Sequence, residues 1–358
     1  MRLVHAFRDQ SKSCVRMGSP FMGRLLNLLA DDWNFESTLG QEMAEYQEDI
    51  GPVGHSLPLR IAGGLHALVL LGDAPILAAA YPPNTVSDDV LRAALLATLK
   101  THQDFLLDWT RLPPQTNEVR RSAALIAMAH EALHYFDRPI VLSELGASAG
   151  LNLMWDHFAL SVQGIRIGPD DAALSLSPEW EGPVPRAALP QIVERSGVDL
   201  SPLNPKESKD LWRLLSYLWP DQPHRAELTR SAASVLHANV AKGDAIDWLE
   251  HRLNTAPKDH MHLIQHTVAW QYFPASAQAR GTALIEAAGA RANHNTPIVW
   301  MQMETDGDRS GAIGAALTLR LWPGDLTLNL GRADFHGRWI DWVGPTQSPV
   351  ENILKGRG

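Results

Sequence analysis

Up to about residue 136 the apolar positions recur at helical spacing. Val90, Leu91, Ala94, Leu95 and Leu99 share one face at intervals of three and four. Ser19-Pro20 reads as an N-cap followed by proline at the first helical position. Ser87-Asp88-Asp89 reads as a cap followed by acids that suit the positive end of a helix. Pro82-Pro83-Asn84 is a linker. Pro113-Pro114 breaks the chain before a helix that begins near Thr116 and runs through Ala123, Leu125, Ile126 and Met128. No segment before residue 138 has the alternation of a strand.

Beyond residue 138 strand-like runs alternate with helix-like ones, the signature of a mainly parallel sheet with helices on its faces. Strands are expected at Ile140–Leu145, at Leu174–Glu179, in a short run ending at Gly243-Asp244, at His262–Val268 and at Ile298–Met303. A hairpin is expected over Phe158–Ile167. A second joins Ala316–Leu321 to Leu326–Leu330 through Pro323-Gly324-Asp325. Helices are expected at 149–158, 207–218, 224–237, after Asp244, and at 276–289; the proline-rich stretch 182–205 reads mostly as loop. The pattern divides the chain into a helical N-terminal cap domain, 1–136, and an α/β sheet domain, 137–358.

Composition narrows the class. The chain has 358 residues with an ordinary globular balance, and its net charge of −9 argues against a broad nucleic-acid surface. Cys14 is the only cysteine, so an intrachain disulfide and a cysteine-based metal cluster are both impossible, and a reducing cytoplasm is expected. The most apolar segment, Leu65–Tyr81, carries His66, Asp73 and Pro75 and is too short to span a bilayer. The opening residues lack the apolar stretch of a signal peptide. His260, His262 and His266 fall at spacings a metal site could use, but no carboxylate is placed to hold their second ring nitrogens, and no metal is expected.

The chemistry centres on E-L-G-A-S-A-G-L-N-L, Glu144 to Leu153. An ATP-type phosphate loop would need Gly-Lys-Ser/Thr where Gly150-Leu151-Asn152 stands, and the dinucleotide fingerprint would need glycines at 148 and 151. G-A-S-A-G matches the nucleophile elbow of hydrolases, with Asp306 and His336 following in the right order for a serine esterase built on Ser148. The other reading is acid-x-Gly-x-Gly-x-Gly, the adenosylmethionine turn of class I methyltransferases. Glu144, Gly146 and Gly150 match it, Ser148 replaces the middle glycine, and Ala147 lies in the same candidate cofactor turn. In that reading the helix near Ala149 offers free backbone N–H groups to the ligand. The order of motifs downstream favours the cofactor turn. Asp199 is the preferred ribose acid over Glu179, Gly243-Asp244 takes the adenine side, and H-T-V-A-W-Q-Y-F-P, His266–Pro274, follows the fourth strand.

P-P-Q-T-N-E-V (113–119), S-E-L-G-A-S-A-G-L-N-L (143–153), L-L-S-Y-L-W-P-D-Q (214–222), H-T-V-A-W-Q-Y-F-P (266–274) and F-H-G-R-W (335–339) together resemble a bacterial family of unknown function. The resemblance covers nearly the whole chain. It implies a methyltransferase-like Rossmann sheet behind a helical N-terminal region, and it implies no particular reaction. On this reading the protein is an adenosylmethionine-dependent methyltransferase acting on a small molecule or a protein side chain. The alternatives are the esterase and a non-catalytic module binding an adenosine-type ligand. His266 and Tyr272 are the candidate catalytic groups, with Trp270 or Tyr272 facing the sulfonium. Asn117, Glu118, Trp270 and His336 are the candidate substrate contacts, with the 115–118 segment folding over the crevice. No membrane partner is expected, and the oligomeric state is open.

Overall fold

Ser19 caps a helix as its sequence suggests: its Oγ accepts from the Met22 N–H at 3.2 Å, with Pro20 at the first helical position. Ser87 does the same for Val90, and Asp88 and Asp89 sit in the first turn that follows. The computed structural model describes residues 2–51, 54–307 and 313–345. In chain order the first helices are α1 (Arg2–Arg16), α2 (Pro20–Asp32), α3 (Thr38–Ala44), α4 (Leu57–Leu71), α5 (Pro75–Ala78), α6 (Asp88–Thr101), α7 (Gln103–Thr110) and α8 (Ser122–Leu133). Strands β1 (Ile140–Leu145), β2 (Phe158–Val162), β3 (Ile165–Ile167), β4 (Leu174–Leu176), β5 (Glu179–Glu181) and β6 (Ile192–Asp199) follow. Then come α9 (Ser208–Ser216), α10 (Pro223–Ser234), β7 (Asn239–Lys242), α11 (Ala245–Thr255), β8 (Met261–Thr267) and α12 (Ala275–Gly289). The chain closes with β9 (Ile298–Glu304), β10 (Ala315–Trp322), β11 (Leu326–Ala333) and β12 (Trp339–Trp342).

The chain forms two compact units. One is Met1–Thr116 with Leu203–Glu227; the other is Asn117–Pro202 with Leu228–Gly358. This differs from a single division after residue 136. Helix α8 belongs with the sheet because S-A-A-L-I-A-M-A-H-E-A-L is buried at every position, and a helix apolar all round needs cover on all sides. The segment 203–227 returns to the first unit, where Tyr217 packs on α4. A Cβ added to Gly63 would lie 2.5 Å from the Tyr217 ring, so glycine is required for that approach. Asp221 accepts from Ser19 Oγ at 2.6 Å and from the Phe21 N–H at 3.0 Å. Arg213 stacks over Trp109 at 4.5 Å. The L-L-S-Y-L-W-P-D-Q motif is therefore structural cement within this unit.

The second unit is α/β. Its nine-stranded sheet runs β5-β12-β11-β10-β9-β8-β1-β6-β7. β7, β6, β1, β8 and β9 are mutually parallel, β10 and β11 continue as an antiparallel hairpin, and β12 is antiparallel to β11 and parallel to β5. A small second sheet, β3-β2-β4, carries the expected 158–167 hairpin. β1 is buried at all six positions, as a central parallel strand covered on both faces must be. Ser143 and Glu144 are carried inside with it. Ser143 Oγ accepts from Arg252 Nε at 3.0 Å and lies 2.8 Å from His262 Nε2. One layer packs Leu249 of α11 and Ile285 of α12 with Leu145, Val198, Ile264, Trp300 and Trp322.

Four expectations need correction. The 182–205 stretch holds β6, the strand beside β1, whose half-buried polar positions hide its pairing. The expected helix at 149–158 is a 3₁₀ helix, Leu151–His157, because Gly150 enters in the left-handed conformation and the chain turns straight into β2. The expected strand 174–179 splits between the two sheets, as β4 and β5. β12 is an added four-residue strand.

Candidate functional site

The carboxyl ends of β1, β6, β8 and β9 bring together five segments of the second unit. Ligands of open α/β sheets bind at such strand ends, where the strand order reverses. Here the reversal lies between β1 and β8.

The Gly-rich turn is tied inward through its amides. Gly146 and Ala147 donate to Val198 O, and Gly150 donates to Ala147 O. Ser148 N–H donates to Asp199 Oδ2 at 2.9 Å. Ala149 and Leu151 N–H donate to Asn117 Oδ1 at 3.2 and 2.9 Å. The amides expected to be free for a ligand are thus occupied from 146 to 151, and Asn117 acts as the cap of the turn. The glycines serve packing against protein. A Cβ on Gly146 would lie 2.6 Å from Ala269 Cβ, and one on Gly150 would lie 2.8 Å from Val240 Cγ2. Ser148 has φ +53°, the left-handed region that glycine adopts most easily. It stands where the acid-x-Gly-x-Gly-x-Gly pattern has its middle glycine.

The segment after Thr116 locks this arrangement. Glu118 O accepts from Asn152 Nδ2 at 3.3 Å, and Ser122 Oγ donates to Asn152 Oδ1 at 2.8 Å. The Glu118 carboxylate pairs with Arg120 at 3.0 Å and caps its amide. Gln265 Nε2 donates to Asn152 O at 3.2 Å, and Trp155 Nε1 donates to Gln265 Oε1 at 3.2 Å. Asn117 and Glu118 therefore sit at the site, holding backbone rather than projecting into open space.

Arg121 was not anticipated. Its guanidinium is buried and donates to Phe335 O at 2.8 Å through Nε and to Thr267 O at 3.1 Å through Nη1. Burial lowers its pKa, while Glu118, Glu304, Tyr272 and Glu144 favour its charge. F-H-G-R-W thus packs on the 120–121 backbone, where a Cβ on Gly337 would lie 2.5 Å from Arg120 O. Asp334 organises that loop, accepting from His336 N–H at 3.0 Å and from Arg338 Nη2 at 2.8 Å. His336 itself is buried.

Glu144 is 2 % exposed, and its Oε2 has no hydrogen-bond partner. Burial pushes its carboxyl up to about 8, against the opposing pull of Gln265 and Arg121 and with a further push from Asp199. Asp199, at the end of β6, accepts Ser148 N–H on one oxygen and Ser201 N–H at 2.8 Å on the other. Glu179 lies in β5, at the far edge of the sheet from β6. Asp244 is the N-cap of α11, accepting from Ile246 and Asp247 at 2.8 and 3.0 Å.

His266 differs most from expectation. It is fully buried; Trp300 Nε1–H donates to its Nε2 at 2.9 Å, and Nδ1 lies 2.8 Å from Glu304 Oε1. An indole N–H can only donate, so Nε2 is the acceptor and Nδ1 carries the proton toward Glu304. Both ring nitrogens are occupied, and Trp270 stacks on the ring at 4.9 Å. The imidazole is a fixed part of the wall, and Trp270 is held by His266, Phe273 and Trp300. Tyr272, 53 % exposed, keeps an open ring. Glu304 was missed, although a signal was present: an acid one residue beyond the end of the strand expected at Ile298–Met303. Its Oε1 also accepts the Ala269 and Trp270 N–H groups at 2.9 and 3.1 Å. Just before them Val268 holds φ +51°, a conformation a β-branched residue rarely adopts and one that gathers at functional sites.

The esterase reading takes Ser148 as nucleophile, with Asp306 and His336 as its partners. Asp306 pairs with Arg332 at 2.8 Å. The amide after the nucleophile, Ala149 N–H, should serve the oxyanion but is held by Asn117. Among the described residues no group of three His, Cys, Asp or Glu is placed to hold a metal ion, and no helix is long and apolar enough to cross a membrane. A cleft of about 460 Å³ lies at the opposite end of the sheet, around Trp322 and Gly289; its Arg320 is ion-paired with Asp325 and Glu286.

No curated protein matches the chain. A bacterial family profile matches residues 4–342. The chain belongs to the family described as "Uncharacterized protein conserved in bacteria" (DUF2332).

Proposed function

We propose that the strand-end crevice binds adenosylmethionine and that the protein is a methyltransferase for a small-molecule acceptor. The observation that carries this reading is the polarity of the turn. Its amides are engaged from 146 to 151, so it has no N–H cradle for a phosphate or an oxyanion. What it offers instead is acceptors: Glu144 Oε2 without a partner, and Asp199 with one amide on each oxygen. A carboxylate oxygen has more than one lone-pair site, so Asp199 retains capacity for two hydroxyls. This polarity suits an ammonium and ribose hydroxyls, and it suits neither a dinucleotide nor an acyl-enzyme oxyanion. The strand order β7-β6-β1-β8-β9 supports the same reading, being the 3-2-1-4-5 order of nucleotide-binding doubly wound sheets.

Adenosylmethionine would supply an electrophilic methyl group on a sulfonium. The buried Glu144 would be drawn into its charged form by the ammonium and accept from it, and Asp199 would accept from the ribose. Asp244, exposed at the start of α11, lies beyond the adjoining strand on the adenine side. The Trp270–His266–Trp300 stack would exclude water from the reacting end, and the Tyr272 ring could face a cation. Positioning and exclusion of water are the tasks a protein performs for such a group.

Titration calorimetry with adenosylmethionine and adenosylhomocysteine tests the reading. Saturable binding is expected for the wild type and should be lost in Gly146→Asp, whose side chain would meet Ala269. Ser148→Ala should still bind. Absence of saturable binding to the wild type overturns the reading.

A further inference from the structure

We infer that Glu304, rather than His266, is the ligand-facing group of the β8–β9 strand ends, and that its Oε2 recognises a primary amine.

The two carboxylate oxygens of Glu304 are treated very differently. Oε1 is saturated: the His266 imidazole and the Ala269 and Trp270 amides converge on it within 2.8–3.1 Å. Oε2 is buried and has no partner, in a residue only 8 % exposed. A buried polar atom left unpaired is costly, more so when charged, so native structures leave few of them without a water, ion or ligand. The three donors on Oε1 fix the carboxylate plane and thereby the direction of Oε2. They also satisfy the charge only on one side.

The neighbours define the missing partner. The nearby cation, Arg121, directs Nε and Nη1 to the carbonyls of Phe335 and Thr267. Val268 is held in a left-handed conformation between the strand and the two amides, which places those amides on Glu304. An ionised carboxylate can only accept, so the partner must donate. An ammonium forms the strong, charge-assisted version of that bond. The half-exposed Tyr272 ring nearby offers a face that attracts cations. His266 acts as a positioning residue: its Nδ1–H aligns Glu304, and its own Nε2 is covered by Trp300.

The inference does not depend on the cofactor, so its test omits adenosylmethionine. Saturation-transfer difference NMR would be recorded on n-propylammonium and, separately, on n-propanol at equal ionic strength. The wild type should give a saturable signal with the amine at least fivefold above that with the alcohol. Glu304→Gln should reduce the amine signal at least fivefold. His266→Gln keeps an N–H donor and should remain within twofold of the wild type, whereas His266→Leu should fall with Glu304→Gln. Thermal melts confirm that each variant is folded. No saturable amine signal in the wild type, or equal signals from amine and alcohol, overturns the inference without recourse to any variant. Wild-type binding by folded Glu304→Gln also overturns it, and wild-type binding by folded His266→Leu overturns the positioning role.

Discussion

Glu144 shows how one buried residue sets a pH dependence. Burial holds its carboxyl up to about 8 in the folded chain, against about 4.3 in an unfolded one. Between these values the unfolded state gives up the proton that the folded state keeps. Stability contributed by this group is therefore present below about pH 4 and declines as pH rises toward 8, at up to about 1.4 kcal/mol per unit. Glu144→Gln keeps the shape of the neutral acid and removes the ionisation. Its melting temperature should overtake that of the wild type as pH rises from 5 to 8, while the two converge at low pH. Parallel curves across that range would show that Glu144 ionises freely where it stands. Ser148 makes a different point: its left-handed φ stores about 1 kcal/mol that glycine would not, partly offset by the extra freedom glycine has when unfolded. Ser148→Gly should change stability by less than about 1 kcal/mol in urea titrations, whereas Ser148→Val should cost more than that, since a branched side chain tolerates this φ poorly.

The Gly-rich turn and the segment 117–122 behave as one element. Asn117 Oδ1 serves two amides at once, so Asn117→Ala leaves two donors in a buried place and should cost about 2–4 kcal/mol. Asn117→Asp retains the acceptor and should cost clearly less; equal losses measured by urea unfolding would rule out the capping role. A second element contact is Gly146 against Ala269. Gly146→Ala should destabilise, both by its φ of +70° and by the 2.6 Å approach. Ala269→Gly should recover the steric part alone, so a double-mutant cycle separates the two contributions. These couplings explain what could be read in advance. The turn was visible because a strand, an acid and two glycines lie within eleven consecutive residues, 140–150. The pairing of its amides was not, because Asn117 lies 32 residues before Ala149 and Asp199 lies 51 residues after Ser148, and no local pattern links either to the turn. His266 was found by its place after a strand, but its closed state depends on Trp300 and Glu304, which are set by the β8–β9 register. Strand β6 was lost because its positions are mostly half-buried, so neither an apolar run nor a clean alternation appears.

At the scale of the whole molecule, the long motifs pointed to the family that spans 4–342, and alternating patterns gave the α/β class. The return of 203–227 to the first unit was hidden, because chain order does not reveal which core a helix joins. Both units share one electrostatic property. His66 in the first unit, and His130 and His262 in the second, are held neutral chiefly by burial, with pKa values lowered to about 4, 4 and 3. Each would bind a proton near pH 6.5 once unfolded. The stability they contribute is complete above about pH 6.5 and is lost as pH falls toward 3–4, at up to about 1.4 kcal/mol per unit for each residue. The midpoint of urea unfolding should therefore fall steeply between pH 6.5 and 4, while secondary structure persists at pH 7. His262→Gln can still hydrogen-bond to Ser143 yet cannot titrate, so its acid slope should be shallower than that of the wild type by close to one proton. An unchanged slope would mean that His262 accepts its proton without disturbing β1 and β8, contrary to its burial against Ser143, whose Oγ also accepts from Arg252.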